Sequence, residues 1–518
     1  MVCRPFRNYA SVSLLGLILS WAVFADGRDD DVVSQNCLGC HVPEEGGLSR
    51  INGQRKTPEG WQMTIHRMQT VHGLTVGNQN IPIGRSMKQL VKHLSDTQGL
   101  APSEAAPYRY LIEQRLNHFE DFEPEMREMC GRCHSGGRVA LQRRTKEEWD
   151  LVVHFHLGQF PTIEYQLYGR DREWVKQAFE ETVPMLAEDY PFESDAWDEW
   201  QQAEKPDLSG AWVFSGHMAG KGYAHVVMTA AGEDDDNYKL TLAGSYASGE
   251  SISGEGRAIV YTGYEWRGQV TVNGVSMRMV LAADADGNGM TGRLFEKQQV
   301  LIGMDVSATR DNGEAAIANV MPGFIGAGEE QVVTISGAGL AGDVSFGDGI
   351  SVTEVLSADA NHVSVRVKAA ADASAGAVSL SVGDAAGSIR VHGGIDAIAV
   401  EPAYAIARVG GNGPTHPLNA AFRAVAMSGD EMLGYLPSAS WHVEPFNEMS
   451  AADNDVKFAG GMDAETGIYS PAGAGPNPER RMSTNNAGNL KVVASAGDLN
   501  AEAQLIVTVQ VWITPPLR

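Results

Sequence analysis

Cys37-Leu38-Gly39-Cys40-His41 and Cys130-Gly131-Arg132-Cys133-His134 decide how this chain reads. Each has the spacing of a c-type haem attachment site. Two thiols stand ready to form thioethers with the porphyrin vinyl groups, and the adjacent histidine stands ready to ligate the iron from the proximal side. Two Cys-x-x-Cys pairs also suit one zinc ion or a pair of redox dithiols. Three features favour haem: a His directly after each second Cys, an exported chain, and no thiol left over, since the fifth cysteine, Cys3, falls in the leader.

The segment after each motif repeats. After the first comes Arg55-Lys56-Thr57-Pro58-Glu59-Gly60-Trp61, then Met63, Ile65, His66 and Met68; after the second comes Arg143-Arg144-Thr145-Lys146-Glu147-Glu148-Trp149, then Leu151, Val153, His154 and His156. In register, Trp61 meets Trp149, His66 meets His154 and Met68 meets His156. Thr57 and Thr145 read as N-caps, with acidic residues in the first turn. At about 100° per residue, a side chain seven after the Trp returns to within about 20° of its face, whereas one five after is turned about 140° away. Met68 and His156 therefore share the inward face, and His66 and His154 point elsewhere. The expected axial pairs are His41 with Met68 at the first iron and His134 with His156 at the second. His72, four residues past Met68, competes at the first iron, with Met63 and Met87 as weaker candidates. Met68 and His156 also suit a plain reading as core side chains. Met/His ligation raises a haem potential, so the two irons would differ.

Outward from the motifs, 518 residues exceed a single core and imply four or five domains. The net charge of -25, with no Lys/Arg cluster in the sequence to interrupt it, argues against nucleic acid or anionic lipid as partners. Arg4 and Arg7 precede an apolar run from Ser11 to Phe24, then Ala25 and the acidic stretch Asp26 to Asp31. Residues 1–25 read as a cleaved signal peptide, placing the mature protein in the periplasm. The apolar run is shorter than a spanning helix, and no later segment is a better candidate, so no membrane span is expected.

Helical stretches Ser86 to Ser95, Glu104 to Asn117 and Arg172 to Glu181 complete two small cytochrome units, 26–118 and 119–204. Near Lys205-Pro206 the composition turns to Gly, Val, Thr and Ser, and alternation takes over. Asn273-Gly274 suits a type I′ hairpin between alternating strands, within an antiparallel barrel at 205–310. An immunoglobulin-like sandwich is expected at 311–395 and a second such β domain at 396–518. The fold class is thus an N-terminal all-α two-haem cytochrome c region followed by three all-β barrel or sandwich domains. Asp284 to Gly289 matches half a calcium loop, but Phe295 stands where the bidentate Glu belongs, so it reads as a turn. The acidic run Glu233 to Asp236 reads as a loop tip.

Two haem motifs in a helical region, the Thr-to-Trp helices, and Asp96-Thr97-Gln98-Gly99-Leu100-Ala101-Pro102, followed by three β domains, resemble the α subunit of the quinohaemoprotein amine dehydrogenases. The resemblance implies a heterotrimer with a propeller-type β subunit and a small γ subunit carrying cysteine tryptophylquinone. A primary amine would be oxidised to aldehyde and ammonia on γ, and electrons would leave through two covalent haem c groups to a soluble acceptor such as a blue copper protein or cytochrome c. No catalytic residue is expected in this chain, since its four mature cysteines are all taken by haem. The alternatives are a stand-alone periplasmic two-haem carrier and a two-haem peroxidase; the latter needs an open iron, against which candidate distal ligands at both sites argue.

Overall fold

The computed structural model describes residues 30–76, 83–165, 169–234, 236–410 and 416–509. The signal peptide expected at 1–25 lies outside the described residues, as does the Asp26 to Asp29 part of the acidic stretch. No helix among the described residues is long and apolar enough to cross a membrane.

The expectation of an all-α N-terminal region is corrected. The chain is mostly β, 42% strand against 24% helix, and strands enter the haem region itself. Pro43–Glu44 pairs with Gly47–Leu48, and Gln54–Lys56 pairs antiparallel with Gln142–Arg144. The latter two strands are the repeated basic segments, which read in sequence only as lead-ins to helices. They pair with each other because strand geometry lets Arg55 and Arg143 reach one buried carboxylate, that of Glu104. The helices are also more broken than expected. Pro107 leaves a 3-10 turn at Ala106–Tyr108 where Glu104 to Asn117 read as one helix. A π turn, Ala178–Thr182, precedes Pro184, whose missing N–H and ring crowd a regular helix.

The repeat is visible in space. The helices Pro58–His72 and Lys146–Gln159 begin at Thr57 and Thr145, whose hydroxyls accept from Gly60 N at 3.3 Å and Glu148 N at 3.2 Å. Trp61 and Trp149 are both buried. Trp61 Nε1 and the Lys56 N–H both donate to the Gln98 carbonyl, while Trp149 Nε1 and the Arg144 N–H both donate to the Tyr190 carbonyl. Lys56 lies over the Trp61 ring at 4.9 Å and Arg144 over Trp149 at 5.4 Å.

Eight antiparallel strands from Gly210–Met218 to Gly303–Asp311 form a closed meander barrel. Alternation explains it: in Asn237–Tyr246, Tyr238, Leu240 and Leu242 point inward while Lys239 and Thr241 face water. A barrel of eight strands is just wide enough for side chains to fill, and Trp212, Phe214, Met228, Trp266 and Met290 fill it. Asn273 (φ 47) and Gly274 (φ 84) make the expected left-handed hairpin turn. Asp284 to Gly289 is likewise a turn, with Asp286 accepting from Asn288 N at 3.0 Å. The next unit packs two four-stranded sheets over Val333, Ile335, Val365, Val367 and Ile389. The last carries a four-stranded sheet in which Tyr404–Arg408 runs parallel to Leu499–Thr508, beside two three-stranded sheets.

The haem region sits on the barrel through Asp96 to Pro102. Asp96 accepts from Thr262 N at 2.7 Å, Tyr264 donates its hydroxyl to the Leu100 carbonyl at 3.1 Å, and Arg55 donates to the Gly99 carbonyl at 3.2 Å. Gly99 has no room for a Cβ, which would fall 2.3 Å from the Ser95 carbonyl oxygen. A second anchor is Arg267 of the barrel, held between Glu59 Oε1 at 2.6 Å and Glu265 Oε1 at 3.0 Å. Burial pushes the Glu265 carboxyl up to about 7, with Arg267 pulling down and Glu59 adding to the rise. A folded value above the unfolded 4.5 favours the protonated form in the fold. Its contribution is full below about 4.5 and is lost as pH rises through about 7. Glu265→Gln, which cannot ionise, should therefore lose less stability than the parent between pH 5 and pH 8 by thermal denaturation. Equal losses would show that Glu265 ionises at its ordinary pH.

Candidate haem-binding sites

Each motif folds as a tight turn that sets its cysteines and histidine side by side. Cys37 ends the helix Asp30–Cys37, and the His41 N–H donates back to the Cys37 carbonyl at 2.9 Å; the His134 N–H points likewise at the Cys130 carbonyl, at 3.5 Å. All four cysteines are free, Cys40 and Cys133 exposed, Cys37 and Cys130 half-buried. Burial pushes the Cys37 thiol up to about 11 and the Cys130 thiol up to about 12. Among the described residues no three His, Cys, Asp or Glu side chains converge as a metal-ion site. The two Cys-x-x-Cys pairs thus do not gather around one zinc.

The histidines share one arrangement. His41 Nδ1 lies 2.7 Å from the Ser49 carbonyl, His134 Nδ1 3.0 Å from that of Ser135, and His156 Nδ1 2.7 Å from that of Val152. A carbonyl only accepts, so each ring carries its proton on Nδ1 and offers the Nε2 lone pair, the arrangement by which an outer hydrogen bond orients a ligating imidazole. Burial also drives the His134 pKa down to about 4 and lowers that of His156, keeping both in the neutral, ligating form.

The structure brings His134 and His156 together, ring centroids 6.3 Å apart. A metal–imidazole bond of about 2 Å, plus about 1 Å from nitrogen to ring centre, sets two axial rings about 6 Å apart. The residues present therefore fit a haem iron between them. Trp149, Val153, Met129 and Trp174 form the buried apolar shell around this site. The Trp174 ring centre lies 6.1 Å from that of His156. His154 is exposed and faces Asp150, and His66 is exposed. At the first motif no ring stands against His41 among the described residues. Met68 is half-buried one turn beyond buried Ile65, Met63 is half-buried, and His72 is exposed at the end of its helix. Met87 is half-buried beside the first-unit core of Trp61, Leu90 and Leu94.

Sequence reasoning missed Glu120. Its carboxylate accepts from Tyr110 at 2.8 Å, Gly136 N at 2.7 Å, Gly137 N at 3.0 Å and the Ser135 hydroxyl, clamping the backbone immediately after His134. Burial raises the Glu120 carboxyl, but these donors outweigh it and hold it below its ordinary value. A Cβ on Gly136 or Gly137 would meet Phe122 at 2.6 Å or the Tyr110 hydroxyl at 2.5 Å. The Ser-Gly-Gly following the second motif was the available signal.

Two Cys-x-x-Cys-His turns with half-buried, oriented imidazoles, mounted on β domains, have the geometry of a haem-binding chain. Family models agree along the chain: quinohemoprotein amine dehydrogenase A, alpha subunit, haem binding, over residues 27–197, then alpha subunit domain II over 205–311, domain III over 314–392 and domain IV over 398–517. The chain belongs to the family of quinohemoprotein amine dehydrogenase alpha subunits. No curated protein matches it. Among solved structures, a redesigned β-barrel, mFAP1 bound to DFHBI, is 15% identical over 20% of this chain and 93% of its own, TM-score 0.18. Drosophila N-cadherin EC1-3 is 10% identical over 45% and 86%, TM-score 0.20. Scores this low carry no weight for function.

Proposed function

We propose that this chain is the two-haem electron-exit subunit of a periplasmic quinohaemoprotein amine dehydrogenase. Family membership supports a role in electron transfer within an amine dehydrogenase. The observation that carries the finer reading is the 6.3 Å opposition of His134 and His156 beside free Cys130 and Cys133. Cys37, Cys40, Cys130 and Cys133 would bind two haem c groups, His41 and His134 would be proximal ligands, and His156 and Met68 distal ones. Bound haem supplies a one-electron iron couple. The chain's own residues do the rest: the Ser49, Ser135 and Val152 carbonyls orient the imidazoles, Glu120 holds the turn behind His134, and Trp149 and Trp174 give the second site an apolar wall. Met against His at equivalent positions would separate the two potentials.

The electron donor in this reading is a cysteine tryptophylquinone on a small γ subunit, assembled with a propeller-type β subunit. The acceptor is a soluble blue copper protein or cytochrome c. Anaerobic addition of a primary amine to the native complex should reduce the haem bands, with two further chains co-purifying. An intact, dithionite-reducible two-haem chain that lacks partners and ignores amines would instead be a stand-alone carrier.

A further inference from the structure

Between the two haem units lies a cavity of about 70 Å³ whose lining carries Lys56, Arg67, Arg138 and Arg144 together with Met63 and Ser135. Four cations at one buried place are exceptional on a chain of net charge -25, and their counter-charges do not balance. Arg144 shares Glu148 with Arg50, and Glu59, also in the lining, is committed to Arg267. Lys56 is buried with its ammonium on the Thr64 hydroxyl at 2.8 Å. Among the described residues Arg138 donates only to the Met63 sulfur, at 3.2 Å, and the buried Nε of Arg67, which stacks on the Phe155 ring at 4.5 Å, has no hydrogen-bond partner. No carboxylate among the described residues pairs with Arg67 or Arg138. Burial lowers the pKa of Lys56, Arg67, Arg138 and Arg144 alike, and their mutual repulsion adds to this for Lys56, Arg67 and Arg144.

Buried charge without a partner is costly, so a site of this kind is completed by an anion. The cavity adjoins the second motif from both sides: Ser135 follows His134, Arg138 is one turn further, and Arg67 covers Phe155, the neighbour of His156. We propose that Arg67 and Arg138, backed by Lys56 and Arg144, seat the propionate carboxylates of the haem carried by Cys130, Cys133 and His134. Two guanidinium forks that have no carboxylate partner among the described residues would meet two carboxylates, the geometry Arg favours. The proposal rests on the two-haem reading. The same carboxylate-like chemistry has a second source, a free inorganic anion, and the test separates them.

Arg138→Gln, Arg67→Gln and the charge-keeping Arg67→Lys would be made in the intact chain and assayed by haem content, redox titration and resonance Raman of the propionate bending bands. Both Gln variants should keep two haems, alter those bands, and lower one midpoint only. The expected change is about tenfold in the oxidised-to-reduced ratio, about 59 mV for one electron; Arg67→Lys should recover most of it. The parent midpoint should not respond to added phosphate. Unchanged bands and midpoints in both Gln variants would overturn the proposal, as would a parent midpoint that moves with phosphate, which would assign the site to a free anion. A chain lacking haem at the second motif would fail at haem content instead, and take the two-haem reading down with it.

Discussion

Glu104→Ala should destabilise the haem region by about 3 to 5 kcal/mol, the cost of leaving buried charge uncompensated. On a region of this size that is a fall in melting temperature on the order of 10 °C. Glu104 Oε2 accepts from Arg55 at 2.8 Å and Oε1 from Arg143 at 3.1 Å, with further bonds from Ser194 at 2.9 Å and the Ala101 N–H at 2.8 Å. The Arg55 side chain is 1% exposed and that of Arg143 8%, so neither guanidinium can turn to water. Removing the carboxylate strands two cations. Replacing all three side chains with apolar ones of similar volume should recover most of the loss. A Glu104→Ala melting curve that overlays the parent would show that the cluster is already solvated.

His156→Ala should convert one haem from six-coordinate low-spin to five-coordinate high-spin and open it to carbon monoxide, leaving the other unchanged. The ring opposite His134 is the only one placed to supply the sixth ligand there among the described residues. Added imidazole should restore the low-spin spectrum. His156→Met should keep six ligands and raise that potential. Two low-spin haems surviving in His156→Ala would remove His156 from the ligand set.

The Cys-x-x-Cys-His motifs could be read because their spacing is local, and the barrel because strands such as Asn237–Tyr246 alternate inside and outside. His156 emerged from the repeat: its helix is long enough that the seven-residue offset from Trp149 survives small errors in the boundary. What escaped was long-range. Nothing near Glu120 marks it as the clamp on Ser135 to Gly137, and nothing in Arg55-Lys56 or Arg143-Arg144 alone shows that the two segments pair. They read only as the lead-ins to two helices, and Glu104, supplied from a third segment, makes them a buried strand pair. The break at Pro107 is marked in the sequence, inside the stretch Glu104 to Asn117 whose pattern reads as one helix.

The pairing of Gln54–Lys56 with Gln142–Arg144 also governs how this region can be assembled. Each half supplies the other's missing sheet edge, and one acid neutralises an arginine from both. Repetition here has produced an obligate couple, not beads on a string. A fragment ending at residue 118 would display a bare basic edge, and one beginning at residue 119 would lack both that edge and the acid its arginine needs. Neither half is a portable module, and the spacing between the two attachment sites is set by a seam inside one folding body.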